Sequence, residues 1–224
     1  MTIPCLGLDF GTTNSAVALA LPDRTVRLAE FPHRARSRPS TRSVLFFDPE
    51  DVRPGRRPEP VVGNAALERS VARDGDGRFI QSTKSWLASR GFDATDVFGH
   101  RFRLEDLIGA VIGLLRSASL GWYGGPLRVV AGRPVQFARA DDPADDAFAE
   151  GRLREAFALA GFPDVTFELE PVGAAWHYAN ELDHDELVLI GDFGGGTSDF
   201  TLVRVGPSAW AGGRDARREV VLGI

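Results

Sequence analysis

GDFGGGTSDF (191–200) spells, late in the chain, a pattern already present near its start as GLDFGTTNS (7–15). Each copy is an apolar run that ends in Asp-Phe-Gly, passes through small or hydroxylated residues and resumes as a second apolar run. That order predicts a hairpin whose tight turn exposes several backbone N–H groups on one side, a concavity suited to anions. Glycine admits the dihedrals such a turn needs and lets a phosphate approach the backbone without a Cβ in the way. Thr12, Thr13 and Thr197 add hydroxyl donors. Asp9 and Asp192, just before the turns, would repel a phosphate directly, so a hard cation between carboxylate and phosphate is implied. Mg2+ suits that role because it keeps waters and takes one or two carboxylates plus phosphate oxygens. Either turn alone is equally an ordinary glycine-rich hairpin; two matched copies read as the two jaws of a phosphate clamp.

The rest of the composition narrows the setting. With 224 residues, 43% apolar and 25% charged, the chain can bury a core and carries no signature of disorder or of collagen-like structure. The first residues lack a basic leader and reach Asp9 after a few apolar positions, so neither a secretory signal nor a spanning helix is expected and the cytoplasm is the default compartment. One cysteine, Cys5, excludes an internal disulfide framework. His33, His100, His177 and His184 are scattered without metal-ligand spacing and read as structural. A net charge of -5 disfavours a nucleic-acid-binding surface.

Of the 26 Lys and Arg residues only Lys84, in FIQSTKSWLAS (79–89), is a lysine. A compact ammonium on a flexible stem suits a point charge against a phosphate where a planar guanidinium does not fit. A chance survivor on a solvated face is the alternative. The P-loop pattern fails around it, with Thr83 in place of the second glycine, and Gln81 stands where an SxxK serine would be. The kinase reading of Asp-Phe-Gly fails for want of VAIK and HRD segments.

Hydrophobic periodicity places these motifs. Strands are expected at 3–8, 15–21 and 25–31, an Arg/Pro/Ser-rich loop at 32–42, a strand at 43–47, an irregular link at 48–60 and a helix at 64–73. Leu107, Val111, Leu114 and Leu115 define one face of a helix over 104–120. A strand at 127–131 precedes Asp141-Asp142-Pro143, which supplies an N-cap and a first-turn proline for a helix ending near Gly161. A strand at 165–169, a helix at 172–182 and strands at 187–190 and 200–205 complete the second motif, and VVLGI (220–224) reads as a further strand.

In this order GLDFGTTNS, VGNAA (62–66), Lys84, GRPVQF (132–137), AGFPDVTFELEPVGAAWHYA (160–179) and GDFGGGTSDF resemble the ATPase domain of the Hsp70 family, within the actin, hexokinase and Hsp70 superfamily. The likeness is strongest to short, divergent bacterial Hsp70-like proteins. It implies an α/β fold of ribonuclease-H-like, actin-type architecture with a mixed five-stranded sheet and flanking helices. Lobe I would cover 1–186, with an inserted subdomain at about 43–103, and 187–224 would begin a truncated lobe II.

The resemblance also implies roles. Gly11, Thr12, Thr13 and Asn14 would form the first phosphate loop, and Gly194, Gly195, Gly196 and Thr197 the second. Asp9 and Asp192 would hold Mg2+ through its waters, with Asp199 as a further acidic partner of the ion or of the attacking water. Lys84 would be the catalytic lysine, and Glu170 the carboxylate that helps place that water; Glu170 also reads as a favourable carboxylate at a helix N-terminus. ATP/ADP and Mg2+ are the implied cofactors, and unfolded polypeptide clients or co-chaperones the implied partners, with no nucleic acid and no membrane. Arg133-Pro134-Val135 departs from the Val-Pro-Ala of typical members, in a segment that couples nucleotide state to a peptide-binding domain. The chain stops soon after the second hairpin, so weak ATP affinity and negligible turnover are expected of these 224 residues alone. A small-molecule phosphotransferase and a non-catalytic nucleotide sensor are the alternatives; Lys84 with Glu170-Pro171 favours the ATPase.

Overall fold

The computed structural model describes residues 3–23, 25–124, 127–179, 182–194, 198–209 and 221–223, with the side chains of 177, 198, 199 and 221–223 outside that description. In chain order the strands are β1 Cys5–Phe10, β2 Asn14–Ala20, β3 Val26–Leu28, β4 Phe31–His33, β5 Arg36–Arg38, β6 Thr41–Arg42, β7 Leu45–Phe47, β8 Val61–Val62, β9 Arg78–Ile80, β10 Ala94–Val97, β11 His100–Arg103, β12 Arg128–Arg133, β13 Val165–Leu169, β14 Glu186–Phe193, β15 Ser198–Val205 and β16 Val221–Gly223. The α-helices are α1 Asn64–Ala72, α2 Leu104–Ser119, α3 Pro143–Leu159 and α4 Glu170–Ala179. The chain divides into two compact units, one of residues 1–131 with 137–166, the other of 132–136 with 167–224.

The first unit is organised by a mixed sheet in the order β13-β12-β1-β2-β3, with β6 attached to β2. β1 runs parallel to β12 and antiparallel to β2. Leu6, Leu8 and Phe10 of β1 and Ser15, Val17 and Leu19 of β2 alternate into the interior, the period of two that a half-buried strand requires. α2 packs against β2 and α3, burying Leu107, Ile108, Val111, Ile112 and Leu115. Gly109 faces the carbonyl of Ala156 at the crossing, where a Cβ would stand 3.3 Å from that oxygen. The Asp142 carboxylate caps α3 by accepting from the amides of Ala144 and Asp145, with Pro143 in the first turn, as the sequence predicts.

Between β2 and α2 the chain adds the small sheet β8-β7-β9 and the hairpins β4–β5 and β10–β11. The expected loop at 32–42 is therefore largely strand: Phe31 pairs with Arg38 and His33 with Arg36, around a turn in which Arg34 takes a φ of 52°. Backbone pairing does not require apolar side chains, so an arginine-rich run gave no period to read. The β10–β11 hairpin turns through Phe98 and Gly99, with φ of 52° and 80°, where the usual sequence signal is Asn-Gly. The third strand, expected over 25–31, shortens to Val26–Leu28.

In the second unit, α4 lies on the β14–β15 hairpin, which β16 extends. Val203, Val205 and Ala175 are buried there, with Val188 and Ile190 packed against them. The helix expected over 172–182 begins earlier, at Glu170. Among the described residues, no helix is long and apolar enough to cross a membrane.

Candidate functional site

The first motif is a hairpin whose last paired residues are Phe10 and Ser15, leaving 11–14 as the connection. The Gly11 N–H closes the turn by donating to the Asn14 carbonyl at 3.0 Å. A Cβ on Gly11 would lie 2.4 Å from that same oxygen, so close backbone approach demands glycine there. The next two amides, of Thr12 and Thr13, have no acceptor among the described residues. They are the donors that an anion-binding turn would offer. Asp9 is exposed on the strand leading in, opposite Ala16.

Bonds that sequence reasoning missed hold this loop in place. The Thr13 carbonyl accepts from the Ser43 amide at 2.9 Å, and the Ser15 and Ser43 hydroxyls, each 1% exposed, bond at 2.8 Å. β6 pairs Arg42 with Asn14, and the Arg42 Nη1 donates to Asn14 Oδ1 at 3.2 Å. The Arg42 amide donates in turn to Asn64 Oδ1 at 3.2 Å. Asn64 is buried, its Nδ2 donating to the Pro32 carbonyl and its own amide to Thr41 Oγ1. Gly63 before it has a φ of 77° and no room for a Cβ, which would meet Thr41 Oγ1 at 2.5 Å. The VGNAA segment was visible as a motif, but its partners lie too far away in sequence to be paired by spacing.

Lys84 sits in a short 3-10 helix, Thr83–Trp86, in the same unit, entered through Ser82 in the left-handed region at a φ of 58°. It is 8% exposed, so the chain's single lysine is buried and not a solvated surface cation. Burial of an ammonium is costly without compensation.

The second motif repeats the first in register. Phe193 pairs with Ser198 as Phe10 does with Ser15, and the connection again has four positions, 194–197. Asp192 falls where Asp9 does, one residue before the last pair, and is exposed. Its Cα partner is Asp199. Gly194 follows β14 and is exposed, while Gly195, Gly196 and Thr197 and the side chain of Asp199 lie outside the described residues. Gly191 is hemmed in by the rings of Phe193 and Phe200, which themselves meet edge to face at 5.6 Å.

Glu170 opens α4, where a carboxylate complements the helix dipole. Its side chain lies over Gly132, whose Cβ would stand 3.0 Å from the Glu170 Cγ. In the departing Arg133-Pro134-Val135 segment Arg133 is buried, its Nε donating to the Pro134 carbonyl at 3.0 Å and its Nη2 to that of Val135 at 3.3 Å. Within the first unit Gly11, Thr12, Thr13 and Asn14 share one turn, flanked by Asp9; the second contains the Asp192 hairpin and, at the start of α4, Glu170.

Among the described residues, no group of three or more His, Cys, Asp and Glu side chains is gathered to hold a metal ion.

No family model matches the chain. Over 204 residues, 90% of this chain and 30% of the relative, it is 28% identical to the chaperone protein DnaK of Thermosipho melanesiensis. The chain therefore spans less than a third of the length of that curated relative, and the similarity, distant but running along nearly all of the chain, is to an Hsp70-type chaperone.

Proposed function

We propose that these residues form part of the ATP-binding machinery of an Hsp70-like, Mg2+-dependent ATPase that uses nucleotide as a conformational switch in handling polypeptide clients. What carries the reading is the repetition of one hairpin, with equivalent register, in each of the two units: Asp, Phe, a four-residue connection and Ser. Support comes from the two unpartnered amides of the first turn, the burial of the only lysine, and the similarity to DnaK. On this reading 1–186 belong to the first lobe of the nucleotide-binding domain and 187–224 begin the second.

In phosphoryl transfer the protein chiefly positions groups and stabilises charge. The Thr12 and Thr13 amides and hydroxyls with Asn14 would bind phosphate in the first unit, and Gly194, Gly195, Gly196 and Thr197 are the corresponding phosphate-binding residues of the second. Asp9 and Asp192 are the carboxylates that would contact Mg2+ through its waters. Asp192 and Asp199 are Cα partners in the second hairpin. When bound, Mg2+ neutralises charge on the phosphoryl oxygens. Lys84 supplies a second positive charge, Glu170 orients the attacking water, and Asp199 is the third acid of the site.

The test compares ATP hydrolysis by the complete open reading frame with that of its Lys84→Ala variant. Loss of one positioned charge in the transition state lowers the rate by about 100-fold. Equal rates in the two proteins would remove the ATPase reading.

A further inference from the structure

The first loop is met by an arginine that no part of the phosphate motif accounts for. Arg42 follows the loop by 28 positions, reaches it because β6 pairs with the start of β2, and donates from Nη1 to Asn14 Oδ1 at 3.2 Å. A guanidinium has donors and no acceptor, so the only part of the Asn14 carboxamide that can face it is the carbonyl oxygen. The carboxamide NH2 is then turned away from Arg42, free to donate. Arg42 is itself held from behind: its amide donates to Asn64 Oδ1, and the buried Asn64 is anchored to Thr41 Oγ1 and the Pro32 carbonyl. The Arg42 backbone is thus fixed in β6, and from there its guanidinium meets Asn14 in an exposed bond.

We propose that Arg42 is a positioning residue for the first phosphate loop: it locks the Asn14 carboxamide with its NH2 outward, adding a side-chain donor beside the Thr12 and Thr13 amides. The phosphates of a nucleotide are the ligand class this serves. The inference rests on the reading of 11–14 as a phosphate loop. A substitution at Arg42 acts through Asn14, and its consequence disappears when Asn14 is no longer there to be oriented.

The experiment is a double-mutant cycle on the complete open reading frame, with Mg-ATP affinity measured by calorimetry and melting temperature recorded for each variant. Arg42→Gln and Asn14→Ala each weaken binding about fivefold, and the double variant is no weaker than the worse single. Arg42→Lys, which keeps the charge and a donor, recovers most of the affinity, an outcome that a purely structural role would not separate from Arg42→Gln at equal melting temperature. Native affinity in Arg42→Gln, or losses that multiply in the double variant, would overturn the assignment while leaving the phosphate loop intact. Failure of the unsubstituted protein to bind Mg-ATP would instead overturn the reading of the loop, and the assignment with it.

Discussion

Gly11 shows how narrow the tolerance of the first turn is. Its absent Cβ would fall 2.4 Å from a backbone carbonyl, a neighbour that cannot swing aside as a side-chain tip can. Gly11→Ala must therefore shift the loop, at a cost of about 1–3 kcal/mol, and move the Thr12 and Thr13 amides with it. Denaturant unfolding together with ATP titration checks this; an alanine variant with native stability and native affinity would show that the turn has slack. The glycine was legible in the sequence, whereas the reason for it was not, because the residue it must clear is the Asn14 carbonyl of its own turn. Lys84 is the converse case, since its singularity is plain in the sequence, and its 8% exposure excludes the solvated alternative.

Among the elements, α2 and α3 were the most readable and contain the least readable bond. The periodic apolar face of α2 and the Asp142-Pro143 start of α3 are local properties, legible within a few positions of the chain. Glu105 and Arg152, by contrast, form a buried ion pair between the two helices, and Arg152 Nη1 also donates to the Phe92 and Ser89 carbonyls at 3.0 and 3.3 Å. Arg152→Ala leaves a buried carboxylate uncompensated, and unfolding experiments are expected to show a loss of roughly 3–5 kcal/mol. The double change Glu105→Leu with Arg152→Met removes both charges and recovers most of that loss. A loss under 1 kcal/mol in the single variant, about what an exposed pair is worth, would mean that the pair is hydrated.

Across the whole molecule, the charge networks set opposite responses to pH in the two units. In the first, Asp48 is held below the ordinary carboxylate range by the Arg69 guanidinium, with help from the Glu50 amide and Arg73, against the opposing effect of burial. Its contribution to stability is present above pH 3.8 and is lost as pH falls through its depressed value. In the second, His184 is raised above 6.5 by its bond to Asp183 and by Glu186. Its contribution is complete below pH 6.5 and is lost as pH rises through the raised value. His184 is exposed, so its effect is modest and shrinks in salt, whereas the Asp48 carboxylate is shielded from solvent. An NMR titration locates the His184 midpoint above 6.5, and a midpoint at or below that value would contradict the arrangement.

By itself the sequence determined the elements whose signals are local: the Asp-Phe-Gly turns, the alternating strands beside them, the amphipathic helix and the capped one. Each rests on a period or on a turn residue within a few positions. The tertiary structure alone decided what holds the first loop in place and what joins α2 to α3, since Arg42 to Asn14, Arg42 to Asn64 and Arg152 to Glu105 span 28, 22 and 47 positions. Polar pairs at such separations leave no period behind, because either partner would read the same on a solvated surface. Only folding, which brings the strands and helices side by side, tells a surface arginine from one that orients a loop.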